Sequence, residues 1–277
     1  MRIVNLIEDT EGVPGCARAH GLSFYVETPR HRLLSDLGPS ALSLENARRL
    51  GIDLSRVDTV VLSHGHYDHS GGILPFAALN PGALIWLRRT ALGEYYADDG
   101  EDAAPRWRYI GMDPRIAALP QLRFLEGDRV IDGELSVFGL DRPPEDFPFG
   151  NARLREKRGE AYVQDRFGHE QFLVIRAEGL RVLLSGCAHS GLLNILGAFR
   201  RKYGGEPDAV LSGFHLARKR AHTQAELAAI RALAEGLKQF STVFYTCHCT
   251  GLPAYETMKP ILGERLQYVH TGQELRL

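Results

Sequence analysis

Apolar positions along the chain follow two different spacings. Short β-branched blocks, "RIVNLI" (2–7), "LSFYVET" (22–28), "HRLLSDLG" (31–38), "VDTVVL" (57–62) and "ALIWLR" (83–88), have the length and composition of strands. "ALSLENARRLGI" (41–52) instead carries its apolar residues at helical spacing and stops at Gly51, as a helix C-terminus does. "GGILPFAALN" predicts a short helix. Further along, "LRFLE", "ELSVFGL", "QFLVIRA", "RVLLSG", "DAVLSG" and "TVFYT" read as strands, and "HSGLLNILGAFRRKYGG" as a helix halted by its glycine pair. Thr223 with Glu226 three residues later forms a capping-box pattern, opening a helix to about Phe240. "RLQYVHTGQELRL" closes the chain with short strands.

Strands dominate each half and helices are interspersed, which predicts an α+β fold of two packed sheets with helices outside. There is no repeat and no low-complexity tract, so residues 1–277 read as one domain. The irregular stretch is 93–120, rich in Asp, Gly, Pro and Arg around "RWRYIG". It reads as a long functional loop or small insertion.

Composition narrows the function classes. Hydrophobic residues make up 44% and charged residues 24%, ordinary values for a globular protein. A formal net charge of -1 gives no global field to recruit nucleic acid or an anionic membrane. "RRK" (200–202) and "RKR" (218–220) read as solvated faces. No apolar run reaches the roughly 20 residues that span a bilayer. The opening residues read as a strand rather than a signal peptide. Four cysteines in a chain this long do not make a disulfide framework. A cytoplasmic location is expected.

The chemistry concentrates in "SHGHYDHSGG" (63–72), directly after a buried strand. His64 and His66, two apart in extended chain, face one side. Asp68 and His69 follow, and Gly71-Gly72 permit a sharp turn. Imidazole and carboxylate donors suit Zn²⁺, and also iron or manganese. Four ligand-type residues in six positions exceed what one tetrahedral ion takes on so short a tether, which favours two metals. Three later strands also end in ligand-type residues: "SGCAHSG" (185–191), "SGFHL" (212–216) and "TCHCTG" (246–251).

A strand followed by H-x-H-x-D-H and Gly-Gly resembles the metallo-β-lactamase superfamily of metallo-hydrolases. "GCAHSGLLNIL", "SGFHL" and "HCTG" resemble its branch of dihydropterin-(ribofuranosyl)aminobenzene-phosphate synthase-like proteins. The resemblance implies a four-layer αββα sandwich with the site at one edge of the sheets. It also implies two metals per chain, zinc with iron or manganese as alternatives. His64, His66 and a third histidine would hold the first metal, and Asp68, His69 and His248 the second. The third histidine is His189 in preference to His169. Cys187 stands where most members carry a bridging Asp. Asp36, from "RLLSDLG", would support the metal loop from beneath.

The implied chemistry is attack by a metal-bound hydroxide, with Asp68 also orienting the nucleophile. His215 is a candidate to polarise substrate or donate a proton, against a structural role, and His20 is a weaker candidate. Cys247 and Cys249 should point away from the metal that His248 faces. His31, His222 and His270 read as surface residues. The helix opening after His189 offers amides for a substrate phosphate. Arg106 and Arg108, interleaved with Trp107 and Tyr109, would clamp an anionic ring or else pin the loop. The expected function is a metal-dependent hydrolase, or a lyase or synthase-like transferase, acting on a small anionic phosphorylated molecule. No nucleic acid or membrane partner is expected. The alternatives are a non-catalytic metal-binding or sensor protein, a nuclease or a thioesterase.

Overall fold

A computed structural model describes residues 1–277. Its first sheet runs, in spatial order, Glu274–Arg276, Arg2–Ile7, Ser23–Glu27, Arg32–Ser35, Thr59–Val61, Leu84–Arg88 and Leu122–Leu125. The second runs Leu266–Tyr268, Val243–Thr246, Ala209–Ser212, Leu180–Leu184, Phe172–Ala177, Leu135–Phe138 and Arg129–Val130. Each sheet is part antiparallel and part parallel. Arg32–Ser35, Thr59–Val61, Leu84–Arg88 and Leu122–Leu125 pair in parallel. So do Leu180–Leu184, Ala209–Ser212, Val243–Thr246 and Leu266–Tyr268. These parallel strands are covered on both faces, which is why "RVLLS" and "DAVLS" are continuously apolar rather than alternating.

Strand periodicity sorts the side chains into layers. Ile3, Phe24, Val26, Leu33 and Val61 of the first sheet meet Val137, Leu173, Ile175, Val182, Leu184 and Leu211 of the second. Their neighbours in sequence point the opposite way. Val4, Tyr25, Leu34, Val60 and Ile85 pack beneath the helices Leu42–Arg49 and Ile73–Leu79. Val174, Leu183, Val210 and Phe244 pack beneath Leu192–Tyr203, Gln224–Lys238 and Leu252–Leu262. The order is therefore helix, sheet, sheet, helix, the αββα sandwich expected. The Thr223 capping box is formed in full.

Segment 93–120 departs from the expectation of a loop. It contributes the strands Tyr95–Asp98 and Trp107–Tyr109. These join Leu154–Arg158 and Ala161–Gln164 in a third, four-stranded sheet. Tyr95, Ala97, Ile110 and Leu154 turn inward around Phe167. The opposite face is polar and aromatic, so the overall composition of the segment masks its alternation.

His31 is not a free surface residue. Its Nδ1 lies 2.8 Å from Asp58 and its Nε2 2.6 Å from Asp132, with Arg30 also 3.6 Å from Asp132. The contact ties the start of a first-sheet strand to the turn before a second-sheet strand, at the end of the strands away from Asp36. Burial opposes charge on His31, but the two carboxylates prevail and raise its pKa above the ordinary 6.5. Its stabilisation is therefore complete below about pH 6.5 and is lost as pH rises through the raised folded value. Urea titrations should show His31→Gln costing stability near pH 6 and little near about pH 9. Separately, Phe199→Ala, which empties a fully buried site between helices and sheet, should cost about 3–5 kcal/mol. Thr223→Ala should cost about 1 kcal/mol by the same measurement.

Candidate metal centre

The carboxyl ends of the parallel strands of both sheets converge on one edge, and every expected ligand cluster sits there. Gly65 passes so close to the Ala91 carbonyl that an added Cβ would lie 2.3 Å from it, and Gly71 approaches Pro39 equally closely, at 2.0 Å. Larger residues would push the histidine loop off the strand ends.

Hydrogen bonds fix which ring nitrogen of each histidine is free. The Asp36 carboxylate accepts from the Ser63 amide (2.7 Å), the Ser63 hydroxyl (2.7 Å) and His69 Nδ1 (2.7 Å). Because the Ser63 proton goes to Asp36, His64 Nδ1–H donates to the Ser63 hydroxyl oxygen at 2.8 Å. His189 Nδ1 donates to Asn151 Oδ1 at 2.9 Å, while the same amide donates its N–H to the His189 carbonyl at 2.7 Å. His248 Nδ1 lies 2.5 Å from Asp9. In His64, His69 and His189, Nε2 is left with its lone pair aimed inward.

Those lone pairs meet without protons between them. His64 Nε2 and His189 Nε2 are 3.3 Å apart. Buried Nε2 atoms of His66 and His248 have no hydrogen-bond partner. Asp68 Oδ2 lies 3.5 Å from His248 Nε2 and 3.8 Å from His69 Nε2. Two ligands about 2.0–2.1 Å from one tetrahedral ion are roughly 3.3–3.4 Å apart, so these spacings fit shared cations. The donors of His64, His66 and His189 form one close set. Cys187 belongs to two others, one with His64 and His69 and one with His248 and Cys249. Its Sγ is 3.1 Å from His69 Nε2. The donor set thus fits two ions with Cys187 between them.

Electrostatics agree with neutral imidazoles in the first set. Burial, followed by the neighbouring histidines, holds His64 and His189 well below the ordinary value. Burial, then His169, brings His66 to about 3. Burial opposes charge on Asp68, yet His69 and His248 keep it ionised. Burial also opposes charge on His248, but Cys249, Asp68 and Asp9 draw a proton to it, as they would any cation. Burial pushes the Cys187 thiol up, so a thiolate there needs a cation beside it. Asp36, Ala188, His215 and His248 all hold left-handed backbone angles without being glycine. Such strain collects where surrounding structure enforces a site.

Both ring nitrogens of His169, the less favoured third histidine, are engaged: Nδ1 accepts from the Gly65 amide and Nε2 donates to Asp165, each at 3.0 Å. Other expectations need correction. Cys249 turns toward the site, not away from it. This follows from the short 3-10 turn His248–Thr250, which breaks the alternation an extended strand would impose. A buried carboxylate holds the turn ahead of the helix Leu192–Tyr203. His189 and Ser190 donate to the buried Glu170 at 2.7 and 2.9 Å, and burial raises that carboxyl to about 7. Arg106 grips Asp98 through two bonds and lies over Trp107, which stacks on Tyr162. These contacts pin the small sheet, the second of the two roles expected for it. Arg108 pairs with Asp99 but also feels the charge of Asp68, which places it near the site mouth. His215 is half-buried beside His189, ring centroids 4.2 Å apart, with Nδ1 unpartnered.

Asp9, Ser63, Asn151 and Glu170 were not anticipated. Asp9 follows a strand, as the ligand clusters do, and that position was a readable signal. Asn151 reaches the site from the short 3-10 helix Phe149–Arg153 and Glu170 from a loop, neither with a local mark.

A family model described as the metallo-beta-lactamase superfamily matches residues 18–236. The chain belongs to that superfamily. A Methanocaldococcus jannaschii protein named 7,8-dihydropterin-6-methyl-4-(beta-D-ribofuranosyl)-aminobenzene-5'-phosphate synthase is 27% identical over 303 residues, covering 100% of this chain and 96% of that one. An uncharacterized protein of the same organism is 25% identical over 281 residues, covering 98% of each chain. A crystal structure described as a metal-dependent hydrolase of the beta-lactamase superfamily superposes with a TM-score of 0.83. It is 29% identical and covers 100% of this chain and 99% of its own.

Asp36→Ala would orphan three buried donors at once, so it should destabilise the metal-free protein by at least about 3 kcal/mol. Asp98→Ala, which breaks the partly exposed pair with Arg106 and an exposed bond from the Gly100 amide, should cost under about 1 kcal/mol. Urea denaturation of both variants is the check.

Proposed function

We propose that the protein is a binuclear, zinc-dependent metallo-hydrolase, or a lyase or transferase of the same chemistry, acting on a small anionic, phosphorylated substrate. The observation that carries this is the set of inward Nε2 lone pairs, two of them 3.3 Å apart, surrounding Asp68 and Cys187. His64, His66 and His189 would hold one ion, Asp68, His69 and His248 the other, with Cys187 between them. Nitrogen and thiolate donors favour Zn²⁺ over iron or manganese. Divalent cations held there supply Lewis acidity and make water nucleophilic near neutral pH.

The chain's own groups have distinct parts. Asp68 orients the nucleophile and accepts its proton. Burial holds His215 neutral, at about 3, and its free ring nitrogen beside His189 leaves it able to hydrogen-bond and polarise the substrate. Arg108 draws the anionic substrate to the mouth. Asp36 and Asn151 keep the ligand rings in one orientation. Support for a phosphorylated substrate comes from the synthase-named relative, whose named product carries a phosphate and whose length this chain matches. The near-zero net charge gives no broad basic surface for a long polymer. No helix is long and apolar enough to cross a membrane. Four free cysteines, one at the centre of the donor set, fit a reducing, cytoplasmic setting.

Elemental analysis should find two metals per chain, still two in His169→Gln and fewer in His189→Ala. With zinc restored, a small aryl phosphodiester or cyclic phosphate should be hydrolysed in preference to structured RNA. Asp68→Asn should lower kcat by about 10²-fold or more. Arg108→Ala should chiefly raise KM, and Arg106→Ala should leave both unchanged. Two bound metals with no turnover would support the sensor reading instead, and preference for RNA the nuclease reading.

A further inference from the structure

The segment from Glu8 to Leu22 has no part in the reading above, yet it brings two side chains to the edge of the second donor set. Glu8 is buried and anchors the segment. Its carboxylate accepts from the Thr10 amide (2.7 Å) and the His248 amide (2.9 Å). Its carbonyl accepts from the Ala19 amide at 3.2 Å, which folds the segment back and sets His20 beside Asp9. The far end is stitched to the histidine loop. Leu22 N–H donates to the Asp68 carbonyl at 3.1 Å, and Gly21 approaches that oxygen so closely that a Cβ would lie 2.4 Å away.

Asp9 then serves two imidazoles. Oδ1 meets His248 Nδ1 at 2.5 Å and Oδ2 meets His20 Nδ1 at 2.8 Å. With Nδ1–H given to Asp9, His20 Nε2 carries the lone pair. That atom lies 3.5 Å from Asp68 Oδ2, the same separation as His248 Nε2. The His20 and His248 rings are 4.9 Å apart. Two lone-pair atoms at this distance repel unless a cation lies between them, and the spacing is close to that of two ligands on one ion.

We infer that His20 is a further protein ligand of the second divalent cation, with Asp9 orienting both His20 and His248. The inference rests on the binuclear reading. It makes the two positions unequal. With Cys187 shared between the two positions, the second draws on Asp68, His69, His248 and His20, four donors of its own, and the first on three histidines. His20 could not be singled out from "AHGLSF", because its partners Asp9, Asp68 and His248 meet it only across the fold.

The test is a cobalt titration of wild-type, His20→Ala and Asp9→Asn protein, read by visible absorption, with far-UV circular dichroism to verify the fold. The His20 side chain is 59% exposed, so its removal leaves the core intact. Wild type should bind two ions in two steps. His20→Ala should keep the first step, weaken the second at least about tenfold and alter the ligand-field bands, with added imidazole restoring them. Asp9→Asn should weaken the second step in the same sense. His20→Gln, which keeps side-chain bulk, carries the same titration if His20→Ala loses structure. A protonated His20 acting only as an ion partner of Asp68 would compete with the metal. Its removal would leave the second affinity unchanged or raise it, and either result overturns the inference while two-step binding survives. Wild type that takes up no cobalt overturns the binuclear reading and this inference with it.

Discussion

A single buried carboxylate sets the geometry on which the rest depends. Asp36 accepts three hydrogen bonds, from Ser63 N–H, Ser63 O–H and His69 Nδ1–H. Through Ser63 it also fixes the tautomer of His64. Two imidazoles are thereby committed to presenting Nε2 inward, His64 toward His189 Nε2 and His69 toward the Cys187 thiol. Asn151 and Asp9 do the same for His189 and His248 from other parts of the chain. Buried polar groups left unmatched are costly, so a cation that completed the cluster would stabilise it.

The sandwich explains how distant residues reach one edge. In each sheet the parallel strands end on the same side, and loops leaving those ends carry the ligand types. Val61 leads to the histidine loop, Leu184 to Cys187 and His189, Ser212 to His215 and Thr246 to His248. A parallel arrangement needs crossover helices, and these cover the outer faces and leave the strand ends free. The last two strands of the chain clasp opposite sheets, Leu266–Tyr268 on one and Glu274–Arg276 on the other. The small third sheet then walls the mouth, pinned by Arg106 and Asp98 and by the Trp107–Tyr162 stack.

Much of this was legible beforehand for physical reasons. Val60 and Val61 announce opposite faces because side chains alternate along a strand. Thr223 and Glu226 announce a helix start because their reciprocal bonds are local. "SHGHYDHSGG" announces a metal loop because the donors share a short tether. The small sheet was hidden because "RWRYIG" and "LREKRGEAYVQ" are polar on the exposed face, and they are joined only through Tyr95–Asp98, whose Ala97 meets the distant Leu154.

What the chain determined by itself was therefore everything carried by short-range periodicity and spacing: the sandwich, the histidine loop and the strand-end clusters. Tertiary structure decided the matters that turn on which atoms meet across the fold. It engaged both ring nitrogens of His169 with the Gly65 amide and Asp165. It turned Cys249 inward through a single 3-10 turn. It bonded the His189 and Ser190 amides to Glu170, and it brought Asp9 and His20 beside His248. None of these is a property of a stretch of sequence, since a hydrogen bond is directional and its partner here lies up to 240 residues away.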